Sequence, residues 1–106
     1  MSNTTSAPPV KVVDITAPST IVNSQKSVTT AGTSVALGSS TTLYSGVRIK
    51  ALAANVGDIY VGNSSVSSST GFVLDAGEEV FVEVGDLATI YLDASSNGDG
   101  VSYIGS

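Results

Sequence analysis

The sequence predicts an all-β fold, a β-sandwich or jelly-roll-like barrel with an extended N-terminal arm, on the strength of three observations. Apolar and polar residues alternate over several short runs, as on half-buried strands. Turn-forming residues separate these runs at short intervals. No window of ten or more residues combines a helical period with helix-forming residues. The 106 residues fit one domain, which we divide into an arm over 1–26 and a β-sandwich domain over 27–106.

The predicted arm contains all three prolines, Pro8, Pro9 and Pro18. Proline removes a backbone donor and enforces extended or turn backbone. Two β-prone runs, 10–15 and 20–22, can form ladders only with a sheet edge of their own domain or of a neighbour. A disordered tail is the alternative for so polar a segment. The residues expected to anchor the arm on a protein partner are Val10, Val12, Ile15, Ile21 and Val22.

The β domain begins where strand and turn patterns start to alternate. The clearest period of two lies at 47–51, where Val47, Ile49 and Ala51 alternate with Arg48 and Lys50. We therefore expect the apolar set in the core, with Arg48 and Lys50 as outer-face cations that contact a protein partner. The predicted strands cover 28–31, 34–37, 46–52, 58–62, 71–74, 79–84, 88–93 and 101–104.

The composition limits the classes of partner. Charged residues make up 12% of the chain, against about 25% in typical soluble domains, and 18 Ser and 11 Thr are expected to cover the sheet faces. A net charge of −5 argues against nucleic-acid binding. The arm sums to +1 and the rest to −6, so the arm could lie on an acidic neighbour. The sequence shows neither a signal peptide nor an apolar run of membrane-spanning length, which predicts a cytoplasm-like compartment and no membrane partner.

Catalytic and metal-binding patterns are weak. The chain has no His and no Cys, so a serine nucleophile would lack its usual base. Asp75, Glu78 and Glu79 cluster, but their pattern is typical of a β-turn leading into a strand. The run 93–100 is similar to the start of a calcium-binding loop, yet the twelfth position, where an EF-hand has Glu, is Ile104. We therefore expect no enzyme activity, no cofactor and no metal.

Turn and strand motifs recur along 28–106, at 27–33, 47–52, 55–63, 69–72, 75–78, 90–93 and 97–103. With these motifs, the stretch resembles a small module of tailed-bacteriophage virion proteins. This resemblance implies a β-sandwich that sits on the phage head or tail as an accessory subunit, and it carries no active-site residues. Metal-binding cupins have a comparable architecture, but every histidine ligand is missing here.

The function implied by the resemblance is that of a virion structural protein, a capsid decoration or cement subunit. Such a protein would stabilise the head by oligomeric docking and arm exchange. Its expected partners are the major capsid protein or other virion proteins and further copies of itself, with a homotrimer favoured. It would be assembled in the host cytoplasm and end on the capsid surface. The alternative is a tail-fibre or baseplate module that recognises a host surface sugar or receptor, which clustered exposed tyrosines would favour.

Overall fold

Two antiparallel sheets of four strands each form the framework of residues 17–106, the part of the chain that the computed structural model describes. Its one helical element is a 3₁₀ turn at Leu87–Thr89. The predicted all-β class with two packed sheets is therefore confirmed. The strands are β1 Val22–Ser27, β2 Val35–Ala36, β3 Val47–Ala51, β4 Ile59–Gly62, β5 Phe72–Leu74, β6 Glu79–Val82, β7 Tyr91–Ala94 and β8 Gly100–Gly105.

The chain alternates between the sheets. The first sheet has the order β1-β8-β3-β6 and the second the order β2-β7-β4-β5, so every connection except the one from β4 to β5 crosses from one sheet to the other. We call the end with loops 28–34, 52–58, 75–78 and 95–99 the lower end. The opposite, upper end holds the C-terminus and loops 37–46, 63–71 and 83–90.

The core lies between the sheets and is built from their inward-facing apolar residues. In β3, Val47, Ile49 and Ala51 are fully buried, while Arg48 and Lys50 are exposed. This confirms the alternation read from the sequence. The second sheet contributes residues such as Ile59 and Leu92, which are equally buried. One apolar cluster therefore joins both sheets.

Strand β1 spans the predicted boundary between arm and domain. It pairs antiparallel with β8 along its whole length, from Val22 opposite Gly105 to Ser27 opposite Gly100. Residues 22–26, assigned from the sequence to the arm, thus form an edge strand of the first sheet. The strand predicted at 28–31 is wrong: Val28 is buried and bonded to loop 95–99. The chain then turns through Gly32, whose φ of +90° suits glycine.

The strand predicted at 88–93 also begins later than expected. Residues 87–89 form the 3₁₀ turn because Asp86 caps it, its side chain accepting a bond from the Ala88 N–H at 2.9 Å. Aspartate competes well for such backbone donors before a helical turn. Strand β7 consequently starts only at Tyr91.

Candidate functional site: two docking surfaces

The outer side of the first sheet carries the two cations singled out by the sequence. Arg48 and Lys50 point away from the core on β3, the second strand from the β6 edge. In the register, Lys50 lies opposite Ser102 on one side and Glu79 on the other. These residues line a shallow depression with a volume of about 730 Å³, which we call the cationic face. It extends to the outward residues of β1 and β8.

Arg48 is held in place by two contacts on the edge strand β6. Its Nη1 donates to Glu79 Oε1 at 3.1 Å, and its guanidinium carbon lies 5.6 Å from the centre of the Phe81 ring. Both partners of the ion pair are about half exposed, so the pair adds little to stability. The contacts instead fix the direction of the guanidinium. Ile104, on the other side of Arg48, and Phe81 are both exposed, which gives the face the Arg and aromatic content of protein interfaces.

A second surface lies on the open side of the sandwich, between the free edges of β5 and β6. This edge groove has a volume of about 380 Å³, within the roughly 300–1,000 Å³ of binding pockets. Phe72 of β5 extends over it and is 58% exposed, although its neighbour in the register, Val61, is buried. The residues lining the groove are Val61, Gly62, Asn63, Phe72, Val80, Val82, Val84, Thr89 and Ile90.

The sequence reasoning missed this groove. Val80, Val82 and Val84 pack against the core but are only partly buried, because β6 is an edge strand. The alternation of a strand shows which face points inward and does not show whether the strand lies at an edge. No local signal in the sequence could have revealed the groove.

The predicted arm anchors fall into three groups. Val10, Val12 and Ile15 lie outside the described residues. Ile21 is 66% exposed just before β1. Val22 is partly buried and packs against the core of its own domain. Within the described residues, Ile21 is therefore the anchor whose side chain is available to a partner.

In the run 93–100, which is similar to the start of a calcium-binding loop, side-chain oxygens accept hydrogen bonds that connect the loops of the lower end. Asp99 is almost fully buried, and its carboxylate accepts bonds from the N–H of Val56 at 3.0 Å and of Gly57 at 2.7 Å. Asp93 accepts from Gly32 N–H at 2.9 Å. Among residues 17–106, no group of three or more His, Cys, Asp or Glu side chains is placed to hold a metal ion.

Two other carboxylates have perturbed acidity. A hydrogen bond with Asp58, together with the negative charge of that neighbour, raises the pKa of Asp75. The Ala88 N–H, the Ser40 hydroxyl and the Thr41 N–H lower the pKa of Asp86. The bonds to Asp86 tie together the loops of the upper end.

The tyrosines do not form a joint exposed surface. Tyr44 is 81% exposed at the upper end, whereas Tyr60 is buried on β4. Tyr91 and Tyr103 are half-buried, on different sheets. The clustering that would have favoured a sugar-binding module is not observed in this part of the chain.

Comparisons with protein-family models, with curated proteins and with solved structures gave no match for this chain. None of the helical structure within residues 17–106 has the length and apolar character needed to span a membrane.

Proposed function

We propose that this chain is a virion structural protein, a capsid decoration or cement subunit that docks on the head of a tailed bacteriophage. The observation that carries the proposal is the exposure of large apolar side chains around a fixed cation on the cationic face. Phe81 and Ile104 flank Arg48 there. Exposed apolar side chains that lie close together mark a protein contact more often than single exposed apolar residues do. The partner would be the major capsid protein or another virion protein.

The strand order supports a jelly roll, a fold common in viral capsid proteins. A jelly roll consists of eight strands in two sheets made from two Greek keys. In the orders β1-β8-β3-β6 and β2-β7-β4-β5, the first strand lies beside the last, β2 beside β7, β3 beside β6 and β4 beside β5. We therefore propose that the domain is a jelly roll.

The proposed arm comprises the residues before β1. Residues 17 and 19–21 are exposed and precede β1, which begins at the upper end of the first sheet. Val10, Val12, Ile15 and Ile21 would anchor the arm on neighbouring subunits. Val22 is already used by its own domain.

The mechanism is stabilisation by added contact. A subunit that binds the assembled shell and not its separated parts shifts the equilibrium toward the shell. Linked binding sites add avidity when several copies are joined, for which we propose a homotrimer. Each copy would contribute one cationic face and one arm.

The test is co-sedimentation of the purified chain with mature heads of the virus that encodes it. Arg48→Glu and Phe81→Ser should each weaken binding about tenfold or more, because central Arg and aromatic residues dominate interface energies. Val56→Ser is the matched control: Val56 is 86% exposed but lies in a lower-end loop, away from the cationic face. Wild-type chain that leaves the heads bare and labels the tail would refute the cement function and select a tail-fibre or baseplate module.

A further inference from the structure

We propose that the edge groove binds residues 10–15 of a second copy of this chain as an added strand. The inference rests on the proposed function, because it supplies the acceptor surface for the exchanged arm. The binding partner of the arm is then the apolar edge groove of an adjacent copy.

The groove has the features of a strand acceptor. It runs between two edge strands, β5 and β6, each of which has a sheet neighbour on one side only. Edge strands present unpaired backbone N–H and C=O groups, which can pair with an extended segment of another chain. Between the two edges lie Val80, Val82 and Val84, whose side chains are only partly covered. An added strand with apolar side chains would bury them.

The segment 10–15 has the matching composition. Four of its six residues are Val or Ile, which favour extended strands. Because strand side chains alternate between faces, Val10, Val12 and Asp14 would share one face, while Lys11 would share the other with Val13 and Ile15. The segment can therefore place Val10 and Val12 in the groove and Lys11 outside it, with Asp14 at the end of the face that contains the two valines.

The outer side of β6 is complementary to that arrangement. Its outward residues are Glu79 and Phe81, followed by the exposed Glu83 just after the strand. A strand whose backbone pairs with β6, and whose valines enter the groove, would set Lys11 beside these carboxylates. It would also set an apolar residue beside Phe81. Cross-strand pairs of opposite charge and of apolar groups both favour such pairing.

The position of the arm favours a second copy over the same chain. Strands β1 and β6 lie at opposite edges of the first sheet, three strand spacings or about 14 Å apart. A chain crossing that distance at the upper end would pass the C-terminus and Tyr44, whose N–H bonds to the Ser106 carbonyl. Tyr44 is 81% exposed, and residues 19–21 are exposed too, so the described part of the arm does not take that path. The seven residue steps from Ile15 to Val22 can extend about 23 Å. This reach covers an adjacent subunit as well as the edge of the same sheet, so it is the exposure of Tyr44 and of residues 19–21 that favours the second copy.

Disulfide trapping tests the proposal on the full chain, which has no cysteine of its own. A tagged Val12→Cys chain is mixed with an untagged Val84→Cys chain under mild oxidation, and the mixed dimer is quantified on a non-reducing gel. The control replaces the second chain by Val56→Cys, whose side chain is more exposed but lies at the lower end. We expect at least tenfold more mixed dimer with Val84→Cys than with Val56→Cys.

A second pair of variants tests the groove itself. Phe72→Glu, introduced into the Val84→Cys chain, should lower the yield of mixed dimer about tenfold. Val73→Glu should not, because Val73 follows Phe72 on β5 and points to the opposite face of the strand. Both native side chains are substantially exposed, so both variants are expected to fold.

The outcomes separate the two proposals. Equal dimer yields with Val84→Cys and Val56→Cys would overturn the acceptor role of the groove. A double variant Val12→Cys/Val84→Cys that closes on itself as a monomer would also overturn it, because the arm would then fill its own groove. Specific mixed dimers from a chain that does not co-sediment with heads would refute the cement function alone. Binding to heads without specific dimers would refute only the arm acceptor.

Discussion

The buried carboxylate of Asp99 permits a quantitative test of how the lower end is held. It accepts the Val56 N–H at 3.0 Å and the Gly57 N–H at 2.7 Å, and only 5% of the residue is exposed. A hydrogen bond to a charged group contributes about 1.5–3 kcal/mol. Asp99→Ala removes two such bonds, so we expect it to lower the free energy of unfolding by about 3–6 kcal/mol.

The loss is large against the total stability of a small domain, about 5–15 kcal/mol. Asp99→Asn keeps the side-chain size and one acceptor oxygen, so it should lose about half as much. Glu83→Ala is the control, because Glu83 is exposed and no hydrogen bond of its side chain is found in the described residues. It should change the stability by about 0.5 kcal/mol at most.

The assay is urea unfolding followed by circular dichroism, with all variants at one protein concentration because subunit association adds to stability. The expected order of stability is Glu83→Ala, Asp99→Asn, then Asp99→Ala. A loss below about 1 kcal/mol for Asp99→Ala would refute the reasoning, since the two N–H groups would then have another acceptor or reach water.

Three further predictions concern the core, a turn and pH. Ile49→Ala should lower the free energy of unfolding by about 3 kcal/mol in the same assay, because Ile49 is fully buried; a loss under about 1 kcal/mol would contradict the assigned core. Gly46→Ala should cost about 2 kcal/mol, because Gly46 has a φ of +124° and an added Cβ would contact the Val82 carbonyl oxygen. Gly77→Ala, with positive φ but open space, should cost less. The pKa of Asp86 is lower in the folded chain than in the unfolded chain, where it is about 3.9. The ionised Asp86 therefore stabilises the fold at pH values above about 3.9. The stability advantage of wild type over Asp86→Asn should therefore shrink as pH falls from 6 to 3, and a constant difference would exclude this contribution.

The sequence predicted the elements whose side chains alternate between core and solvent. Residues 47–51 are the clearest example, because a central strand with one buried face must alternate. Strand β1 was not recognised as part of the domain, because Asn23 to Gln25 are polar and exposed on an edge. Its ladder with β8 depends on a partner almost eighty residues away. Local patterns contain no information about such a pairing.

The docking surfaces were predictable to different degrees. Arg48 and Lys50 were placed on the outer side of their strand, because the period of two fixes their direction. Their neighbours Phe81 and Glu79 could not be assigned, because cross-strand neighbours follow from the sheet order. The acidic residues of 93–100 were recognised as ligand-like oxygens. Their actual acceptor role depends on loop 52–58, which lies far away in the sequence.

The pairing of the first described strand with the last one constrains how a newly made chain acquires its structure. Strand β8 lies between β1 and β3, so the first sheet cannot form until the six residues Gly100–Gly105 have been made. Nearly all connections switch sheets, and such non-local topologies fold slowly. A chain emerging from the ribosome would therefore expose its valine-rich residues 10–15 before its own two sheets are complete. Deleting β8 should abolish folding, and with it any assembly that depends on the folded domain.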